Sequence, residues 1–300
     1  MEMLFSYGTL MAGITLTVPI LLAALGGMFA DQANLFNIAL ESFMLLGAFF
    51  AVVGSFLGAS PWLGFLMAGL AGILIALVFG VLVIDYRANT VVVGIALNMS
   101  AWGMTSLLLE LFFGVRGFLI DPRIVSFPNL ELPIIKMIPV LGKILSGHNL
   151  FVYITIIIVV SVYIITYQSK FGLRIRALGQ NPDALETAGL SIRRYRYLAV
   201  VINGFLCGIA GASLTLSGLS MFSENMSAGK GFIALAAVLL ARGKPTLIIL
   251  ASIFFGYAEG VSIKLQGFGL PHQLILMTPY IITIIFLFIG TRKKHARIGG

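Results

Sequence analysis

Eight stretches of this chain run for roughly 17 to 25 residues with almost no charge, and that single pattern restricts the fold more than any other. They cover 8–29, 36–57, 62–84, 89–113, 149–167, 197–219, 246–262 and 273–290. A ninth, Gly231 to Ala241, is half that length. A helix needs about 20 apolar residues to cross the hydrocarbon core of a bilayer. A soluble domain carries about 25% charged residues; this chain carries 10%, against 59% hydrophobic. In water such a surface would expose more apolar area than soluble proteins tolerate. The sequence therefore predicts an all-α polytopic membrane protein, with 1–300 as one transmembrane domain. Met1 to Tyr7 contains Glu2 and no Lys or Arg, so the basic start of a cleaved signal is missing and the first span is expected to be retained.

The basic residues orient the spans. Segment 168–196 holds Lys170, Arg174, Arg176, Arg193, Arg194 and Arg196 against Asp183 and Glu186. The tail 291–300 holds Arg292, Lys293, Lys294 and Arg297 and no acid. Both are placed in the cytoplasm. Arg87 and the pair Arg242/Lys244 fall on the same side if every stretch crosses once. The expectation is nine spans, N-terminus outside and C-terminus inside, with eight (one segment re-entrant) or ten as the alternatives. The loop 114–148 is placed outside although it holds four basic residues, because loops of its length vote weakly. Its run 132–141 is expected at the membrane surface. The net charge of +8 does not indicate nucleic acid, because each basic cluster abuts a span and none has interleaved aromatics.

Two stretches share a layout. The span 8–29, a polar break at Asp31 to Asn34 and a restart at Asn37-Ile-Ala-Leu-Glu41 parallel the span 197–219, a break at Ser223 to Ser227 and a restart at Phe232-Ile-Ala-Leu235. The match in sequence is slight. With an odd number of crossings between them, the copies form an inverted repeat. Interrupted helices bare backbone N–H and C=O groups, which in lipid must line a cavity, meet a ligand or be buried in protein. The short segment 231–241 and the polar entry 33–41 are thus the best pointers to a translocation path, with Asn37, Glu41, Asn98 and Phe232 as its candidate residues. Such polar residues also bridge helices, which is the plainer reading. Gly204, Gly208 and Gly211, and Gly69 with Gly72, have the small-residue spacing of close helix packing.

Chemistry is sparse. The one cysteine, Cys207, makes no intrachain disulfide, and His148, His272 and His295 lack metal-ligand spacing, so no metal and no cofactor is expected. No catalytic triad or HExxH pattern appears, and the chain is not expected to be an enzyme. Few carboxylates lie within the spans (Glu41, Glu110 and Glu259), which argues against a proton- or sodium-driven carrier standing alone. Gly229-Lys230 and Gly243-Lys244 lack the remaining residues of a phosphate loop, so an ATP-driven pump would need its motor on another chain.

Within 168–196 a short helix is written clearly. Asn181 is a good N-cap, Pro182 suits the first helical position, Asp183 and Glu186 complement the helix dipole, and Gly189 is placed to end it. The prediction is a helix over 182–188 whose small apolar face, Ala184, Leu185 and Ala188, needs a partner surface. The alternative is that it packs back on its own bundle.

This loop resembles the coupling loop of ABC importer permeases of the simple-sugar and branched-chain amino-acid type. The matching residues are Gly172, Arg174, Arg176, Ala177, Gly179, Asn181, Pro182, Ala184 and Gly189, with Leu185 where a second Ala is usual. Asn37 to Ala48 is similar to the early N-I-x-x-E-G-x-M-L-x-G-A run of that family, with Ser42 replacing Gly, and Arg87 to Asn98 to its R-A-x-x-x-V-x-G-x-A-L-N stretch. Gly229 to Ala237 and Met277-Thr-Pro-Tyr280 match its nucleoside-importer branch best. The likeness covers nearly all of the chain except 114–148. It implies a permease of the bacterial inner membrane for nucleosides, with simple sugars such as ribose or galactose as the nearest alternative. It also implies cytoplasmic ATPase subunits, a second permease (a paralogue or an identical copy) and an external solute-binding lipoprotein. In the family, the segment 182–189 would seat in the ATPase.

Overall fold

The computed structural model describes residues 7–130 and 146–265. The expected span 273–290, the basic tail, the Met277–Tyr280 motif and the run 132–141 lie outside the described residues.

Ten helices form the described chain: α1 (Tyr7–Gln32), α2 (Leu40–Gly58), α3 (Pro61–Gly80), α4 (Thr90–Phe113), α5 (Leu150–Gln168), α6 (Lys170–Gln180), α7 (Pro182–Thr187), α8 (Ile192–Leu216), α9 (Lys230–Ala241) and α10 (Pro245–Leu265). A π-helical turn, Val81–Asp85, prolongs α3. Seven of these, counting α3 with its π turn, are long and apolar enough to cross a membrane, and α9 at 12 residues is the short apolar helix the sequence predicts. The ninth crossing of the expected count falls among the residues not described.

The bundle is assembled around α8, which packs on α1, α2 and α3. The glycines explain how the backbones come so close. A Cβ on Gly208 would overlap the Ala68 carbonyl of α3, and one on Gly211 would overlap the Met44 carbonyl of α2. The small-residue stripe thus serves two neighbours, α3 through Gly204 and Gly208 and α2 through Gly211. α4 and α5 are the least buried spans, and α4 exposes Trp102, Leu107, Leu111 and Phe112.

All three described basic groups arrive at one end. Gln32, at the end of α1, donates from Nε2 to the Gly243 carbonyl at 2.6 Å, and Gly179 backs onto the Gln32 carbonyl. Asp85 binds Arg193 in two parallel bonds of 2.9 Å. The loop 242–244, the segment 168–196 and the turn around Arg87 therefore share an end, as a single charge-defined side requires. The opposite end carries a departure from the all-α expectation. Strands β1 (Phe118–Ile120) and β2 (Met221–Ser223) pair antiparallel with Leu119 opposite Phe222. Both strands are three residues long and extend backbone that would otherwise sit unpaired over the ends of the helices. Ser55 exchanges hydrogen bonds with Val125, and the Ser126 and Ser220 hydroxyls meet at 2.6 Å, which seats this part of the 114–148 loop on the bundle.

Candidate functional site

The restarts that follow the two sequence breaks meet inside the bundle, where Glu41 of α2 reaches Gly229 and Gly231. Residues 33–39, between α1 and α2, are not helical, so α2 starts at Leu40 rather than at the expected 36. The Asn37 side chain accepts from its own Ala39 N–H at 2.8 Å, a local turn that competes with helix. The α2 N-terminus has no side-chain cap of its own. Asn98 of α4 supplies one from a distance: its Oδ1 accepts from Ser42 N–H at 2.9 Å, and its Nδ2 donates to the Ile38 carbonyl at 3.1 Å.

The second break is held in the same way. α9 begins behind Gly229, which offers no capping side chain. Its orphan N–H groups are taken by Glu41, in the first turn of α2. Glu41 Oε1 accepts from Gly229 at 2.8 Å and Oε2 from Gly231 at 2.7 Å. A carboxylate at a helix N-terminus satisfies those donors and meets the positive end of the helix dipole. Contact is so close that a Cβ on Gly231 would stand 2.5 Å from Glu41 N. Next to it, Lys230 Nζ lies 2.6 Å from Glu259 Oε1 of α10, with both side chains mostly buried at 13% and 16% exposed. Around this joint the Asn37 Nδ2, Ser227 Oγ and Glu259 Oε2 atoms are buried without a hydrogen-bond partner.

The path candidates therefore divide. Asn37, Glu41 and Asn98 are brought together, buried or half-buried, but the two acceptor oxygens of Glu41 and the amide of Asn98 are engaged in holding helix ends. Phe232 stands outside this network and is 43% exposed. Lys230 and Glu259 were not singled out as a pair by the sequence. The available signal was a lysine opening a short apolar helix, with an acid in the following span.

The loop 168–196 contains two helices where one is expected. α6 is an addition: Ser169 caps it by accepting from Gly172 N–H at 3.0 Å, and Gly172, Ile175 and Leu178 bury one face at three-residue spacing. Gly172 backs onto the carbonyls of Ile165 and Thr166. Arg174 donates to the Tyr195 hydroxyl at 2.6 Å, and Arg176 lies over the Tyr167 ring.

α7 follows at Asn181, whose side chain accepts from Ala184 N–H at 3.3 Å, with Pro182 in the first turn. Gly189 takes the left-handed conformation at φ +73°, and its N–H and that of Leu190 close on the carbonyls of Glu186 and Leu185. The helix ends at Thr187, one residue short of the expected 188. Leu185 turns inward at 4% exposure, while Asp183, Ala184, Glu186, Thr187 and Ala188 face out. The expected apolar face is thus split between an anchor in the bundle and an exposed, small-residue surface. Beyond it, Asp85 accepts from Arg193 and from the Tyr197 hydroxyl at 2.7 Å, tying the end of α3 to the start of α8.

Residues 9–289 match the family described as branched-chain amino acid transport system / permease component. The chain is 36% identical over 295 residues to the guanosine ABC transporter permease protein NupQ of Bacillus subtilis, covering 93% of this chain and 91% of NupQ. It is 31% identical to the nucleoside ABC transporter permease protein NupC of Lactococcus lactis, with the same coverage of 93% and 91%. Among solved structures, PsaBC from Streptococcus pneumoniae in complex with Fab superposes with a TM-score of 0.55 at 13% identity, over 99% of this chain and 96% of that one, a likeness of fold alone.

Proposed function

The chain belongs to the branched-chain amino acid transport system / permease component family, and from that premise we propose that it is the membrane-spanning permease subunit of an ABC importer of nucleosides. The observation that carries the substrate class is its identity of 36% to a guanosine permease and 31% to a nucleoside permease over nearly whole chains. Its relatives are transporter subunits, not enzymes, and it is a multi-pass membrane protein.

In this reading the chain is a single transmembrane unit of nine crossings in the inner membrane of a bacterium. Its C-terminus is cytoplasmic and its two interrupted halves are inverted. Two ATPase subunits bind below and a second permease completes the channel, for which the exposed apolar face of α4 offers surface. A lipoprotein delivers the solute from outside. The capped, outward-facing α7 seats in the ATPase, and Gly172, Arg174, Arg176, Gly179, Asn181, Pro182, Ala184, Leu185 and Gly189 form or brace that contact. Closure of the ATPase pair on ATP pushes α7, and the push reaches α3 and α8 through α6 and the Asp85–Arg193 bonds. The joint of Glu41 with α9 sits between the moving halves. In this role Glu41 and Asn98 position the interrupted helices, and the exposed Phe232 lines the path beside them.

The test is uptake of labelled guanosine into proteoliposomes, set against uridine and ribose as competitors. The assembled complex should take up guanosine with ATP, and uridine should compete better than ribose. Uptake by this chain alone, abolished by collapsing a proton or sodium gradient, would instead identify a secondary carrier.

A further inference from the structure

At the basic end of the bundle, a cleft of about 330 Å³ opens between the ends of α1, α5, α6 and the α9–α10 turn. Arg176, Arg242 and Lys244 converge on it, with Asp31 as the one acid among its lining residues. None of the three cations makes an ion pair among the described residues. The Arg176 Nε donates to the Gly172 carbonyl, and its guanidinium carbon lies 5.3 Å from the Tyr167 ring centre. The turn bearing Arg242 and Lys244 is held in place by the Gln32 bond to Gly243. Three positive groups around one small cleft, with one negative group among them, leave an excess of positive charge that an anion would neutralise.

A second observation says which anion. Further along the bundle, α1, α5 and α10 enclose an apolar furrow of about 450 Å³ that runs from Leu10 and Val152 to Leu21, Val160 and Ile249, the last three at its end nearer the cleft. On α5 the exposed side chains Ile157, Val160, Ile164 and Tyr167 form one stripe at helical spacing. That stripe leads from the furrow to the cationic cleft, and seven residues of helix separate Val160 from Tyr167, about 10 Å of rise. The end of a hydrocarbon chain whose phosphate meets the cations reaches the furrow at Val160 and Ile249. Tyr167 and its neighbour Tyr163, with ring centres 5.0 Å apart, mark the depth at which aromatic rings meet headgroups.

We propose that this cleft and furrow form a site for one anionic phospholipid. Its phosphate is held by Arg176, Arg242 and Lys244, and one acyl chain lies against α1, α5 and α10. The proposal rests on the reading of the chain as a membrane permease with its basic end in the cytoplasm. Because the cleft is lined by Arg176 and Gly179 of the coupling segment, the bound lipid braces α6 against α1.

The test uses the assembled complex in nanodiscs of phosphatidylcholine with a minor fraction of phosphatidylglycerol, and native mass spectrometry counts the lipid retained after detergent exchange. Each cation near an anionic headgroup contributes about five-fold in affinity, so Arg242→Gln with Lys244→Gln should lower retention of phosphatidylglycerol by about 25-fold. Val160→Trp, which fills the furrow and leaves every charge in place, should lower it as well. Arg116→Gln, at the opposite end, should not. Undiminished retention in the double variant would overturn the proposal. Displacement of the lipid by millimolar inorganic phosphate or glycerol phosphate would overturn the lipid assignment in favour of a soluble anion. Retention is read without any transported solute, so an error in the nucleoside assignment would not mimic either result.

Discussion

Two of the short helices among the described residues are held in opposite ways. α7 has six residues and carries its own cap, Asn181, one position before its first turn. α9 has 12 residues and no cap of its own, and it borrows one from Glu41, 188 residues earlier for the bond to Gly229 and 190 for Gly231. The local cap leaves α7 outward-facing and independent, fastened by the single buried side chain of Leu185. The borrowed cap binds α9 to the start of α2 and cannot be broken without baring a carboxylate and two N–H groups away from water. A surface contact that must be found by another subunit suits the first arrangement. A joint between two halves of a channel suits the second.

The contrast can be broken from the buried side first. Glu41→Ala leaves the Gly229 and Gly231 N–H groups unpaired and should cost about 3–5 kcal/mol, seen as a large fall in the unfolding midpoint of the purified complex. Gly231→Ala comes next. Its Cβ would meet the backbone N and Cα of Glu41 at 2.5 and 2.6 Å, atoms that cannot swing aside, so about 1–3 kcal/mol is expected. Gly189→Ala in α7 has open space around it, and its penalty is the left-handed backbone alone, about 1 kcal/mol. Asn181→Ala should cost about 1 kcal/mol of local helix and leave the midpoint of the complex nearly unchanged, while lowering the uptake obtained per ATP hydrolysed. Asp85→Asn should have the smallest effect on stability, because its bonds to Arg193 are exposed. Its expected effect is on coupling, read as the same ratio of uptake to hydrolysis. If Glu41→Ala proved no more harmful to stability than Asn181→Ala, the distinction between the two helices would fail.

The same difference decides what could be read from the sequence. α7 was legible residue by residue, because every group that makes it lies within nine positions, from Asn181 to Gly189. The long apolar spans were legible for a similar reason, since length against bilayer thickness is a local property. α6 was missed because its cap, Ser169, is an ordinary serine at the end of a span, and its buried face depends on where α1 ends. The breaks at 33–39 and before α9 were visible as polar interruptions, but not that Glu41, just past the first, caps the helix after the second. Asn98 could be placed at depth from sequence, yet its two bonds to Ile38 and Ser42 exist only once α4 lies beside α2. Lys230 and Glu259 stand 29 positions apart, and nothing local announces a pair.

The most direct test of the division of labour between α7 and the buried joint is the ratio of guanosine uptake to ATP hydrolysis in proteoliposomes of the complex carrying Leu185→Pro. Proline there takes a backbone N–H out of the six-residue helix and unseats its one buried side chain. Uptake at the level of empty vesicles, with hydrolysis continuing and the complex intact, is the predicted result. Uptake at the unaltered ratio in that variant would contradict the account.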